Sequence, residues 1–283
     1  MSAPAPIDLP GGGAVACRLG GQPLRDGGRA RDCDMTIAEE VPVGFVYNGF
    51  SYAVMMATPD DLEDFAVGFS LAEGLIENLS GMRAASARAS GEGIELAMEL
   101  APDAFAHFLR RRRVRSLRGH TSCGICGVED LAGLGSAPPP ARTDARGISI
   151  EHEAVHRALA ALRDFQPLSR MTHCAHAAAW ASCDGSLRLV REDVGRHNAL
   201  DKLVGACLRA DIAAVDGFCL VTSRCSYEMV QKAVAARFPA LVAISAPTAL
   251  AIRTARQAGL TPIALGRGEQ PVVYSGADGA GLA

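Results

Sequence analysis

Two cysteines three positions apart, Cys123 and Cys126, stand within the run Arg110 to Leu131, which reads RRRRVRSLRGHTSCGICGVEDL. Arg110, Arg111, Arg112, Arg113, Arg115 and Arg118 precede the pair, Gly119 lies between, and Gly124 and Gly127 follow the two sulfurs. Clustered guanidinium charge favours thiolate over thiol, and the thiolate is both nucleophile and metal ligand. Glycines beside a thiol give a backbone that bends and can be approached closely. The chemistry on offer is therefore sulfur transfer, metal ligation or dithiol redox exchange.

Four further polar clusters fall in the second half of the chain. They are Thr172-His173-Cys174-Ala175-His176; Arg191 to Asn198, with Asp201 and Lys202 a turn later; Thr222 to Ser226, ahead of Glu228 and Lys232; and Ser245-Ala246-Pro247-Thr248. Each sits between a predicted strand and a predicted helix. Ligands gather outside the carboxyl ends of strands in α/β layers, and free N–H groups at helix starts favour anions. A phosphate-bearing ligand is the expectation. A single Ser or Thr at such a place is more often only a helix cap, so the coincidence of several clusters carries the inference.

The elements that must position these groups can be read from periodicity. Val41 to Ala57 alternates about Asn48-Gly49, a hairpin signal. Thr58-Pro59 predicts a helix start, and Leu62, Phe65, Ala66, Phe69 and Ile76 continue at helical spacing. Ile94, Leu96, Met98 and Leu100 alternate as a half-buried strand, and a helix from Pro102 runs into the arginines. In the second half the predicted order is a helix over 151–165, a hairpin of 177–182 and 187–191 about Asp184-Gly185, and a helix over 196–209. Strands over 218–222, 241–245 and 262–265 then alternate with helices over 227–238 and 248–258, with a last strand over 272–274. That alternation predicts an α/β layer with parallel strands.

These elements divide the chain into a loose Gly/Pro/Ala-rich tail over 1–31, a small α+β unit over 32–115, a flexible loop carrying the cysteine pair over 116–148, and an α/β domain over 149–283. The stretch 133–147 has no apolar periodicity, and unstructured segments of that length are commonly functional loops.

Composition limits the function classes. The 283 residues are 49% hydrophobic and carry a net charge of −3, so the arginine run is local and a nucleic-acid-binding domain is not expected. Nine cysteines spread along the chain do not make a disulfide framework, which favours a reduced cytoplasmic setting. No signal peptide is read at the N-terminus, and no apolar run reaches the ~18 residues of a membrane span. The dinucleotide, P-loop and zinc-deaminase patterns are absent.

Together the runs TSCGICGVEDL (121–131), REDVGRHNALDKLVG (191–205), SRCSYEMVQKA (223–233) and SAPTALAI (245–252) resemble the formate dehydrogenase accessory sulfurtransferase family, FdhD, from about residue 30 to the C-terminus. The resemblance implies a cytoplasmic sulfur carrier with a cytidine-deaminase-like α/β C-terminal domain, acting as a homodimer. It implies that Cys123, assisted by Cys126, accepts sulfur from a cysteine desulfurase as a persulfide. The sulfur would then pass to the molybdenum (or tungsten) bis-molybdopterin guanine dinucleotide cofactor of formate dehydrogenase. No cofactor or metal would be permanently bound. The family's cofactor-binding segment matches Leu265, Gly266, Arg267, Gly268, Glu269 and Gln270, though only loosely. Two other departures are Ser223, where a glycine is common, and His173-Cys174, where small residues are usual. The arginines are expected to steer a phosphate-rich cofactor or an acidic partner.

Two other readings stay open on the residues alone. In a zinc module, Cys123 and Cys126 would need two further ligands, for which His173, Cys174 and His176 are candidates. In a dithiol redox protein the pair would cycle through a disulfide, although thioredoxin-type pairs sit at a strand-helix junction and this pair sits among glycines.

Overall fold

The computed structural model describes residues 6–8, 14–21, 33–91, 93–116, 150–265 and 270–274. Cys123, Cys126 and the stretch 133–147 lie outside the described residues, as do Gly266, Arg267, Gly268 and Glu269.

Three sheets make up the strand layers. The first pairs β1 (Pro6–Asp8), β2 (Ala14–Gly21) and β3 (Cys33–Ala38) in antiparallel order. The tail expected over 1–31 thus contains two strands. Val15 and Ala16 are buried against Leu168, which explains why so Gly-rich a stretch is held.

The second sheet has the order β5-β4-β7-β6, where β4 is Val41–Tyr47, β5 Phe50–Ala57, β6 Met82–Ser90 and β7 Gly93–Leu100. The hairpin expected at Asn48-Gly49 is present, with positive φ at both residues. That conformation is what a tight two-residue turn requires.

The third sheet has the order β13-β12-β11-β10-β8-β9. Its centre is parallel, with β10 (Gly217–Cys225), β11 (Ala240–Pro247) and β12 (Thr261–Leu265) side by side. The antiparallel hairpin of β8 (His176–Ser182) and β9 (Leu187–Asp193) flanks it on one side, and β13 (Pro271–Val273) closes the other. The predicted alternation of strand and helix is therefore borne out. The mixed α/β class is seen with seven α-helices among the described residues.

Helices α1 (Leu62–Ala72) and α5 (Arg196–Arg209) lie between the second and third sheets. Both are buried on nearly all sides, α1 from Asp64 to Leu71 and α5 from Asn198 to Cys207. Phe65 and Phe69 of α1 pack on Phe45 of β4, with ring centroids 5.0 and 4.1 Å away. Burying each such ring contributes about 1.5–3 kcal/mol. Helices α6 (Tyr227–Ala235) and α7 (Ala249–Ala258) cover the same face of the third sheet as α5. Helix α3 (His152–Leu162) covers the opposite face, against Ala179, Phe218, Leu220 and Ile263. Helix α2 (Pro102–Ser116) places Phe105 and Phe108 on the second sheet and carries the arginines at its far end. One hydrophobic cluster runs from Val43 through α1 and α5 to Ala264, so the stretches 32–115 and 149–283 share a core.

The α1–α5 crossing depends on two glycines. A Cβ on Gly68 would stand 1.7 Å from the Asp201 carbonyl oxygen, and one on Gly205 would stand 1.9 Å from that of Asp64. Backbones this close leave no volume for a methyl group.

The helix start expected at Thr58 is displaced. The helix begins after Asp61, which sits at φ 51°, and Thr58 caps nothing. Thr58 is instead buried and bonded to the second half of the chain. Its N–H donates to Asp193 Oδ2 at 3.1 Å, its hydroxyl oxygen accepts from Val194 N–H at 3.2 Å, and its carbonyl accepts from Lys202 Nζ at 2.9 Å. These tertiary partners outweigh the local capping preference.

Gly205→Ala should destabilise the protein by about 3 kcal/mol or more, measured by urea unfolding. A loss below about 1 kcal/mol would show that the helices can separate freely. Lys202→Met leaves Asp193 buried without its cation and should cost about 3–5 kcal/mol. An unchanged urea midpoint would mean that the buried pair is dispensable.

Candidate functional site

The third sheet brings the four polar clusters to one end. His176 pairs with Asp193 across β8 and β9, Val221 pairs with Ala178, and Cys225 pairs with Pro247. Thr172–His176, Glu192–Asn198, Thr222–Ser226 and Ser245–Thr248 therefore share the edge where the parallel strands end. Helices α5, α6 and α7 all start there, after Gly195, Ser226 and Thr248. The Thr248 hydroxyl caps α7 by accepting from Ala251 N–H, as the sequence predicts, and Thr248 N–H donates to the Cys225 carbonyl at 3.0 Å. Three helix starts at one edge give a region of exposed N–H groups suited to anions.

A buried ion pair sets the α5 end of this edge. Lys202 Nζ and Asp193 Oδ2 are 2.7 Å apart, and both side chains are fully buried. Asp193 Oδ1 accepts from Gly195 N–H at 2.7 Å and from Asn198 Nδ2 at 2.9 Å. Asn198 Nδ2 also donates to the Met56 carbonyl at 2.8 Å. Every polar atom of the pair is thus used in holding the turn into α5.

On the rim of that turn stand Arg196, His197, His176, Thr222 and Glu228. His197 Nε2 lies 2.7 Å from Glu228 Oε2, close but not aligned as a hydrogen bond. Burial and the neighbouring cations Arg196 and Lys232 push His197 down to about 4. Burial and Arg196 also lower His176, whose Nδ1 is 3.4 Å from Thr222 Oγ1. Both imidazoles are neutral near pH 7, so among these five residues the cation is Arg196. Beneath it, both carboxylate oxygens of buried Asp201 accept from Lys232 Nζ at 2.7 Å. Burial outweighs that partner and raises Asp201 to about 6.

On the far side, the Glu192 carboxylate accepts from Leu168 and Ser169 N–H, each at 2.8 Å, and so holds the start of α4 (Pro167–Thr172). His173 follows α4 with φ 54°, and exposed Cys174 comes next.

The thiols separate by environment. Burial pushes Cys225 up to about 11, Cys207 up to about 12 and Cys219 well above the ordinary thiol range. Protonated thiols are poor nucleophiles, so these three are packing residues. Cys174 is exposed. Among the described residues no group of three or more metal-ligating side chains occurs, and His173, Cys174 and His176 do not gather with other ligands.

Leu265 is half-buried at the end of β12, and Gln270 is exposed just before β13. Leu265 pairs with Pro271. Strand β12 lies three strand spacings, about 14 Å, from β8. Arg111 lies on α2, and its Nη1 donates to the Gly74 carbonyl at 3.3 Å.

Sequence patterns alone did not pair His197 with Glu228 or Asp193 with Lys202. The pairs sit on different helices or nine positions apart, at no periodic spacing. Thr58-Pro59 reads locally as a helix start because the tertiary partners of Thr58 lie more than 130 positions away.

The depressed His197 predicts a pH signature. Between pH 6.5 and about 4 the folded ring binds fewer protons than the unfolded one. Its contribution to stability is complete above pH 6.5 and is lost as pH falls to about 4, an effect on the order of 2–3 kcal/mol. Urea unfolding across this range should show the step in the wild type and lack it in His197→Gln. A wild type that gains stability on acidification relative to the variant would mean that Glu228 dominates the ring.

A family model described as the FdhD/NarQ family matches residues 38–280. Sulfur carrier protein FdhD of Xanthomonas euvesicatoria pv. vesicatoria is 49% identical over 249 residues, covering 88% of this chain and 87% of that protein. Sulfur carrier protein FdhD of Variovorax paradoxus is 48% identical over 239 residues, covering 84% of each chain. The crystal structure of a putative formate dehydrogenase accessory protein from Desulfotalea psychrophila has the same fold, with a TM-score of 0.70 at 21% identity, covering 93% of this chain and 98% of that one. A match along nearly the whole described fold, at about half identity to proteins of that family, means that this chain belongs to the FdhD/NarQ family.

Proposed function

We propose that this protein is a sulfur carrier that serves a formate dehydrogenase. The observation that carries the reading is 49% identity over 88% of the chain to a protein named sulfur carrier protein FdhD. In this reading the Cys123 thiolate attacks the terminal sulfur of a cysteine desulfurase persulfide. A new sulfur–sulfur bond forms on Cys123, and the desulfurase cysteine leaves as its own thiolate. Cys126 stands close enough in sequence to share or release that sulfur. The acceptor is the molybdenum or tungsten bis-molybdopterin guanine dinucleotide cofactor, a substrate of the transfer, before it enters formate dehydrogenase. The protein acts in the cytoplasm as a homodimer and as a sulfurtransferase.

The physical chemistry of the described residues supports this assignment. An anionic, phosphate-rich acceptor suits an edge with three helix starts and Arg196, flanked by Leu265 and Gln270 of the expected cofactor segment. Gly266, Arg267, Gly268 and Glu269 complete that segment in the proposal. The arginine run over 110–118 puts positive charge just ahead of the cysteine pair in the chain. The interior cysteines 207, 219 and 225 are held protonated, which leaves the sulfur chemistry to a thiol outside the core.

The test is mass spectrometry of the intact protein and its peptides after incubation with a cysteine desulfurase, pyridoxal phosphate and cysteine. One added sulfur is expected on the Cys123 peptide, removable by reductant and absent in Cys123→Ala. No added sulfur, together with zinc retained under native conditions, would replace the carrier with a zinc module.

A further inference from the structure

His152 and His156 take no part in the sheet-end cluster or in the proposed sulfur chemistry. They bracket the run His152-Glu153-Ala154-Val155-His156, which opens helix α3. A spacing of four places two imidazoles on one helix face, one turn apart. Here the ring centroids are 4.5 Å apart with planes inclined at 59°. Ala154, Val155, Ala158 and Leu162 turn the other face of α3 into the core beneath the third sheet. The histidine face is therefore directed outward, with His152 exposed and His156 half-buried.

We propose that His152 and His156 chelate a borderline divalent transition-metal ion, of the class of Zn²⁺, Ni²⁺ or Cu²⁺. Neutral imidazole is the commonest protein ligand for these ions. A helix packed along its inner face holds the two rings one turn apart before the ion arrives. Once one ring binds, the second is present at high effective concentration, so the pair binds more tightly than either ring alone. The exposed carboxylates of Glu151 and Glu153 flank His152 and offset the positive end of the helix.

The same spacing occurs in H-E-x-x-H metalloproteases, where a third protein ligand completes the zinc site. Among the described residues no third His, Cys, Asp or Glu joins His152 and His156. Two imidazoles with water in the other positions make an open chelate of moderate affinity rather than a closed structural centre. The ligand class follows from the donors: two borderline nitrogens favour late first-row ions over Mg²⁺ or Ca²⁺.

The test uses the full chain with Cys123→Ser and Cys126→Ser, so that loop thiols do not compete. Ni²⁺ is titrated calorimetrically, and urea unfolding is followed with and without the ion. One bound Ni²⁺ and a higher urea midpoint are expected, because the pair is held together only in the folded helix. His152→Ala and His156→Ala should each weaken binding about tenfold or more and abolish the shift in midpoint. Alanine favours the helix, and circular dichroism checks that each variant is folded. His173→Ala and His176→Ala should bind as the parent does. Mg²⁺ in place of Ni²⁺ should give no shift. Parent-like binding in His156→Ala, loss of binding in His176→Ala, or no binding by the parent would each overturn the proposal.

Discussion

One fully buried ion pair, through its bonds to Thr58, ties the second half of this protein to the first at the place where its chemistry is expected. Lys202 and Asp193 lie fully inside, 2.7 Å apart. Taking two charges out of water costs several kcal/mol per ion, and the mutual attraction offsets this only when the remaining hydrogen-bonding capacity is also met. Here it is met by Thr58 at the end of the N-terminal hairpin, by Gly195 at the entry to α5, and by Asn198 one turn later. The arrangement is more specific than apolar packing would be, because Lys202 Nζ and Asn198 Nδ2 must each meet two oxygens at once. It determines where β5 ends, where α5 begins and how the rim residues Arg196 and His197 are presented.

The glycine crossing of α1 and α5 makes that pair geometrically possible. With Gly68 on one helix and Gly205 on the other, the backbones approach closely enough to bring the Thr58 segment over Lys202. Beside Gly205, Asp64 accepts from Arg191 Nε at 2.8 Å and from Arg209 Nη1 at 2.6 Å, adding a second tie across the same interface. Polar bonds at both ends of a tight apolar crossing resist sliding as well as separation. The sheet edge is consequently a rigid platform whose polar groups are already in position.

Charge at the edge is arranged in layers. The outer layer is polar but nearly neutral, since burial and nearby cations keep His176 and His197 unprotonated near pH 7. Arg196 and the three helix starts supply the positive potential. The inner layer holds the Asp201–Lys232 and Asp193–Lys202 pairs, whose charges largely cancel. An anion at the rim therefore meets favourable dipoles without having to displace an internal counter-ion. The core thiols are kept protonated by desolvation and are poor nucleophiles.

Much of this was legible in the chain itself. Alternation and helical spacing located the strands and helices of the second half, because each buries one regular face and so repeats at a fixed period. The runs around Cys123, Arg191, Ser223 and Ser245 pointed to the family, and the matches to family members bear that out. Local pattern failed where partners lie far apart in sequence. Thr58 resembles a helix cap but bonds to residues more than 130 positions later. The strands Pro6–Asp8 and Ala14–Gly21 resemble a tail until their partner strand Cys33–Ala38 and Leu168 are in place. His197 and Glu228 become neighbours only when α5 and α6 start at the same edge. Sequence alone determined which segments bury a face and which residue types are available for chemistry, because those depend on short-range periodicity and intrinsic reactivity. Tertiary structure alone decided which polar groups meet and which are desolvated, because burial and approach are properties of the packed chain.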